Sequence, residues 1–140
     1  MESTEGALKI LLIDDNWDHT KILQWAFKKT GQHDEFTCFD DGSRALEYLR
    51  TLEREQKAKP DLIFLDLNLP RLDGRELLRL LKEEQTTKAI PVIIVSSSER
   101  EEDVRKAYEL GASNYVSKSA ILNDVDPLMK TIQAYRSKAT

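Results

Sequence analysis

The chain has 140 residues, 40% hydrophobic and 33% charged, with 21 Lys and Arg against 25 Asp and Glu for a formal charge of −4. This balance describes one globular domain able to bury its own core, and it excludes an intrinsically disordered chain or a large multidomain enzyme. The acid excess argues against direct nucleic-acid binding, the single cysteine against a disulfide framework, and the lack of a long apolar run or leader segment against membrane or secretion, so a cytoplasmic location is expected.

The first apolar run, Leu8 to Ile13, ends in Asp14-Asp15 and reads as a strand buried on both faces. A helix over about 17–30 follows, with Ile22, Leu23, Ala26 and Phe27 on one stripe and Thr30-Gly31 as its stop. Asp18, Ile22 and Trp25 fall at i, i+4 and i+7 on that helix. Ile22 and Trp25 are therefore either apolar anchors for a partner or cover for the rim of the core. Trp17, just after the acidic pair, is a candidate shield for a pocket mouth.

Phe36 to Phe39 gives a second strand, with Cys38 expected as a small buried side chain and Asp40-Asp41 at its end. After the Asp41-Gly42 turn, Ala45, Leu46 and Leu49 mark a helix over about 43–56. Leu62 to Leu65 forms a third strand ending in Asp66, followed by a helix over about 74–84. Val92 to Val95 forms a fourth ending in Ser96, followed by a helix over about 100–110 that Gly111 closes. The weaker run Ser113 to Ser117 delivers Lys118. The last helix reaches about 136 and is expected to begin near Asn123, because proline is tolerated only in or beside a first turn, here at Pro127.

Strands alternating with five helices imply parallel strands, right-handed crossovers and a doubly wound α/β fold. Ligands of such sheets sit beyond the carboxyl ends of the strands. Asp14, Asp15 and Asp66 converge there if the first and third strands are neighbours. Taken singly, each Asp is equally a helix cap. Three carboxylates in one crevice repel, and a hard oxygen cluster suits Mg2+, or Mn2+ in its place. A buried Lys118 needs a negative partner, for which Asp66 is the natural choice. With the Ser96 hydroxyl alongside, the group could hold a tetrahedral dianion such as a phosphoryl group, and a carboxylate at its centre could be the nucleophile. His19 and His33 have no metal-ligand partners at suitable spacing and read as surface or core residues.

The Asp14-Asp15 pair, the stretch Pro60 to Pro70 followed by Asp73-Gly74, Ser96 and Lys118 closely resemble the receiver domain of two-component response regulators, and the resemblance covers nearly the whole chain. It implies a flavodoxin-like sheet of order 2-1-3-4-5 and one receiver domain over 7–138, with short termini and no output domain. It further implies that Asp66 accepts a phosphoryl group from a phosphohistidine of a partner kinase, while Asp14, Asp15, Asp66 and the backbone carbonyl of Asn68 hold Mg2+. In the same family Ser96 and Tyr115 match a hydroxyl and an aromatic that switch together, and Asn68 and Ser98 match positions that tune water attack on the acyl phosphate. Tyr115 is otherwise a half-buried strand aromatic.

Most receivers carry a proline after the lysine, commonly in a cis peptide. Ser119 stands there in this chain, so a trans peptide is expected. The Lys118-Ser119 pair, the Leu65 to Gly74 segment and the polar stretch Arg54 to Lys59 resemble stand-alone regulators serving phytochrome-type histidine kinases. That closer resemblance implies a homodimer through the fourth helix, fifth strand and fifth helix, with Tyr108, Tyr115, Leu128 and Ile132 as candidate contacts. It also implies a kinase helical hairpin docked on the first helix at Ile22 and Trp25. The enzyme alternative is an aspartyl-nucleophile, Mg2+-dependent phosphohydrolase. Such enzymes generally need a lid and a second acid two residues beyond the nucleophile, where this chain has Asn68. The expectation is a switch that takes part only in its own phosphorylation and dephosphorylation.

Overall fold

Strands that are apolar on both faces need cover on both faces, and helices packed on the two sides of one sheet supply it. In the computed structural model, which describes residues 7–31 and 33–138, these elements run in strict alternation up to the fifth strand. They are β1 (Lys9–Ile13), α1 (Trp17–Lys28), β2 (Glu35–Phe39), α2 (Gly42–Arg54), β3 (Leu62–Asp66), α3 (Gly74–Glu83), β4 (Val92–Ser96), α4 (Glu101–Glu109) and β5 (Asn114–Ser117). Two helices close the chain, α5 (Lys118–Asn123) and α6 (Asp126–Lys138).

The five strands are parallel in the order β2-β1-β3-β4-β5. Ile13 is in register with Leu65, Asp66 with Val95, and Ser96 with Ser117, so the strand ends that carry polar residues lie along one edge. Period-two alternation divides the apolar residues between two cores. Leu11, Ile13, Ile63, Leu65 and Ile94 face α2 and α3, where Leu49, Leu77 and Leu81 are buried. Ile10, Leu12, Phe64, Ile93 and Val95 face the other side, where Phe27 of α1 packs edge-to-face on Phe36 and Phe64 with ring centroids 5.4 and 6.0 Å apart.

Four expectations change. The chain has a sixth, short helix, because the Ser117 side chain accepts from the Ala120 N–H and turns β5 directly into α5. The last helix starts at Asp126 rather than near Asn123, with Pro127 in its first turn, where no intrahelical donor is lost. Leu128 and Ile132 are 4% and 1% exposed within the second core, so they are not available as dimer contacts. Cys38 is half-buried rather than enclosed, since β2 is an edge strand. Among the described residues there is no cis peptide bond, so Lys118-Ser119 is trans, and no helix is long and apolar enough to cross a membrane.

Candidate functional site

Asp14 leaves the end of β1 with its backbone N–H on the Phe39 carbonyl at 3.0 Å, which extends the sheet by one rung. Its side chain accepts from Asn16 N at 2.8 Å, and Asn16 in turn caps α1 through Asp18 N and His19 N. Asp66 is the last residue of β3 and is 1% exposed. One carboxylate oxygen accepts from Asn68 N at 3.0 Å and the other from Lys118 Nζ at 2.9 Å. The same ammonium lies 3.6 Å from Asp14 Oδ1. Asp15 completes the group: one ligand atom each from Asp14, Asp15 and Asp66 lies within 4.8 Å of the others.

The loop that follows β3 is held by close backbone contact. A Cβ on Gly74 would stand 2.3 Å from the Asp66 carbonyl oxygen and 2.5 Å from Leu67 Cα, so no larger residue fits without moving the strand end. Gly74 N also donates to the Leu67 carbonyl at 3.1 Å. Local packing thus sets the direction in which Asp66 and Asn68 present themselves.

Charge in this crevice is not balanced. Asp14 is pushed up from 3.8 to about 6, first because burial penalises its charge and further because Asp66 repels it, against the Asn16 N–H and Lys118, which favour the charged form. Three carboxylates face one ammonium. The donors are hard, anionic oxygens at a partly open edge, the set that a small divalent cation takes. His19, read earlier as a surface or core residue, stands at this site: Nδ1 lies 3.9 Å from Asp14 Oδ2, buried and without a hydrogen-bond partner among the described residues. Burial and the nearby Lys118 lower its pKa. Together with Ile22, Lys118 and Leu122 it lines a cleft between α1 and α5.

Ser96 ends β4, buried, and its hydroxyl accepts from Ser98 N at 3.1 Å; no hydrogen bond joins it to Asp66 or Lys118 among the described residues. The half-buried Tyr115 donates its hydroxyl to the Ser98 carbonyl at 2.9 Å. Asn68 has an exposed side chain. On α1, Ile22 is half-buried against the second core, whereas Trp25 is 59% exposed with Lys29 Nζ 4.3 Å from its ring centroid. Trp17 is exposed at the start of α1, and Tyr108 is 45% exposed on α4.

Residues 10–133 match the family model described as the response regulator receiver domain. The chain belongs to the response regulator receiver family. Among relatives of this receiver, response regulator Rcp1 of Synechocystis is 35% identical over 127 residues, covering 90% of this chain and 86% of the relative. A probable methanogenesis regulatory protein, FilR2 of Methanothrix harundinacea, is 33% identical over 131 residues, covering 94% and 84%. Among solved structures, the phosphorylated cyanobacterial phytochrome response regulator RcpA superposes with a TM-score of 0.82 at 36% identity, over 96% of each chain. The Mn2+-bound form of Rcp1 superposes with a TM-score of 0.76 at 35% identity, over 93% of this chain and 92% of the other. The receiver thus has the flavodoxin-like fold that its motifs implied, in the expected strand order. Like other receivers it is a signalling module built around a phosphoacceptor role.

Four groups beside the strand ends had no site role assigned from the sequence. They are His19, Asp103, Arg75 and the buried Asp41, which caps α2 through Ser43 N at 2.7 Å and pairs with Arg71 at 2.9 Å. An acid opening a helix is a visible cap signal, but it does not show that the acid is buried or what cation turns back onto it.

Proposed function

We propose that Asp66 is the phosphoacceptor of a two-component phosphorelay and that the donor is a phosphohistidine of a phytochrome-type histidine kinase. The observation that carries the reading is the Lys118 ammonium 2.9 Å from one oxygen of the buried Asp66 and 3.6 Å from Asp14, at the ends of three separate strands. In the transfer a carboxylate oxygen of Asp66 attacks phosphorus, the P–O bond forms as the P–N bond breaks, and the imidazole leaves with its electron pair on the kinase. Lys118 meets the charge of the arriving phosphoryl oxygens, and the Asn68 N–H fixes the carboxylate's orientation. Asp14, Asp15, Asp66 and the Asn68 carbonyl would hold Mg2+, or Mn2+ in its place, and the ion supplies the positive charge that the three acids lack. The Mn2+-bound Rcp1 and the phosphorylated RcpA support both assignments by similarity.

Ser96 and Tyr115 are the proposed switch pair, with Asn68 and Ser98 tuning hydrolysis. The exposed Trp25 with Ile22 offers the kinase an apolar footing on α1. Residues 7–138 act as one receiver that signals by contact with other proteins in the cytoplasm, where ATP-dependent kinases work. A homodimer through α4, β5 and α6 keeps Tyr108 and Tyr115 as contacts. The phosphohydrolase reading is not favoured, since the position two beyond Asp66 is Asn68.

The test is phosphotransfer from a panel of autophosphorylated histidine kinases, a phytochrome-type kinase included. Label should leave the kinase and appear on this chain only with Mg2+ present, and Asp15→Asn should abolish it while the circular dichroism spectrum is kept. Undiminished labelling of that variant, or multiple turnovers on a generic phosphate ester, contradicts the proposal.

A further inference from the structure

The polar atoms of the proposed switch meet at one residue, Ser98. Its N–H donates to the Ser96 hydroxyl at 3.1 Å, its carbonyl accepts from the Tyr115 hydroxyl at 2.9 Å, and its own hydroxyl donates to Asp103 in the first turn of α4. That hydroxyl also accepts from Arg100 N at 3.3 Å. Ser98 therefore moves only if a bond to the strand end, the aromatic or the helix is given up.

Asp103 is held from its far side as well. Its second oxygen lies 3.6 Å from Arg75 Nη2, while Arg75 Nη1 lies 3.6 Å from Asp73, the N-cap of α3. Polar contacts thus run from Ser96 through Ser98, Asp103 and Arg75 to Asp73, the residue before the glycine that packs on the Asp66 backbone. Of these links, the hydroxyl to a carboxylate is charge-assisted and roughly twice as strong as a neutral bond. The Asp103 carboxyl is correspondingly held below its ordinary range, chiefly by the Ser98 hydroxyl.

We infer that Asp103 is a positioning residue of the switch, gripping Ser98 so that its N–H engages the Ser96 hydroxyl and holds it back from a phosphoryl group on Asp66, with Arg75 bracing Asp103 from α3. The inference rests on the phosphoacceptor reading of Asp66. Ser96 can turn toward a phosphoryl oxygen only when Ser98 releases it, and Asp103 sets how readily that happens. A contact present in the unmodified form and given up in the modified one biases the equilibrium by its differential free energy. Asp103 thereby also links the phosphoryl site to the position of α4.

The experiment is isothermal titration of the full chain with beryllofluoride in excess Mg2+, beryllofluoride being a tetrahedral phosphoryl mimic. Asp103→Ala should bind about 3- to 10-fold more tightly than wild type, as expected from removing one charge-assisted bond of the resting form. Asp103→Asn, which keeps an oxygen for Ser98 but no charge for Arg75, should fall between the two. In a Ser98→Ala background Asp103→Ala should add nothing, a result that a merely structural role for Asp103 does not produce. Equal or weaker binding by Asp103→Ala overturns the inference. If that variant does not fold, Arg75→Gln should tighten binding about twofold, and no change there overturns it too. A wild-type chain that fails to bind beryllofluoride overturns the phosphoacceptor reading itself, so the two failures are told apart.

Discussion

Where the strands begin, Asp34 ahead of β2 meets Arg136 of α6 in a bidentate pair at 2.7 and 3.0 Å, and a backbone N–H from Leu8 completes the acid's bonding. Neighbouring cations there are also engaged: Lys82 donates to the Lys88 and Ile90 carbonyls, and Lys59 to the Thr86 carbonyl. Where the strands finish, Asp14 and Asp66 share the ammonium of Lys118, and Asp15 adds a third carboxylate within 4.8 Å of theirs. Both ends bury charge beside the same sheet, but Asp34 and Arg136 pair one to one, whereas the three acids outnumber Lys118. The balanced end fastens elements 102 positions apart in sequence, and the unbalanced end keeps an attraction for cations that folding leaves unmet.

Breaking the balanced end should have the largest effect on stability and none on chemistry. Arg136→Met leaves Asp34 buried without its partner and should cost about 3–5 kcal/mol in urea unfolding, with Asp66 labelling by acetyl phosphate unchanged at temperatures where the variant is folded. Gly74→Ala forces a methyl group against the Asp66 carbonyl, and overpacking of this kind costs about 1–3 kcal/mol. Because the displaced backbone belongs to the site, labelling should fall together with stability in that variant. If the two variants behaved alike, the distinction between the ends would be lost.

Asp14→Asn should act in the opposite direction. A carboxyl raised from 3.8 to about 6 in the folded protein binds its proton more tightly there than in the unfolded chain, so its contribution to stability is fully present below about pH 3.8 and is lost as the pH rises through about 6. In metal-free buffer at pH 7 the asparagine variant should therefore be the more stable, by about 1–2 kcal/mol once partial exposure is allowed for, and the gain should fade toward pH 4. Mg2+ should stabilise the wild type above pH 6 and leave the variant unmoved. Thermal melts across pH, with and without Mg2+, check both signs. The smallest effect is expected on the outer surface of α1. Trp25→Ala removes the stacking of Lys29 and should change stability by about 0.5 kcal/mol, yet slow phosphotransfer from a cognate kinase several-fold.

The strands and the acidic edge were legible because both are written in short, local signals. Apolar runs such as Leu62 to Leu65 cannot sit anywhere but inside, and an acid or lysine directly after each run lands at one edge of a parallel sheet. The short helix α5 was not legible: its six residues, Lys118 to Asn123, are too few to show a period. Leu128 and Ile132 were misread for a related reason, since spacing shows that a helix has an apolar stripe without saying whether the stripe meets the chain's own core or another molecule. His19 and Asp103 meet partners five positions away, Asp14 and Ser98, but only through the way each loop turns from its strand end into α1 or α4. Their residue types carry no sign of it, and the acidic first turn of α4 reads equally well as a complement to the helix dipole.

The proposed function makes the unbalanced end of the sheet a metal-dependent phosphoacceptor site with Asp66 at its centre. Incubation with acetyl phosphate, followed by intact-mass and peptide mass spectrometry, tests it most directly. A single phosphoryl group is expected on the wild type, mapped to Asp66, absent without a divalent cation and absent in Asp66→Asn. Label on another residue, or label that persists in Asp66→Asn, would contradict it.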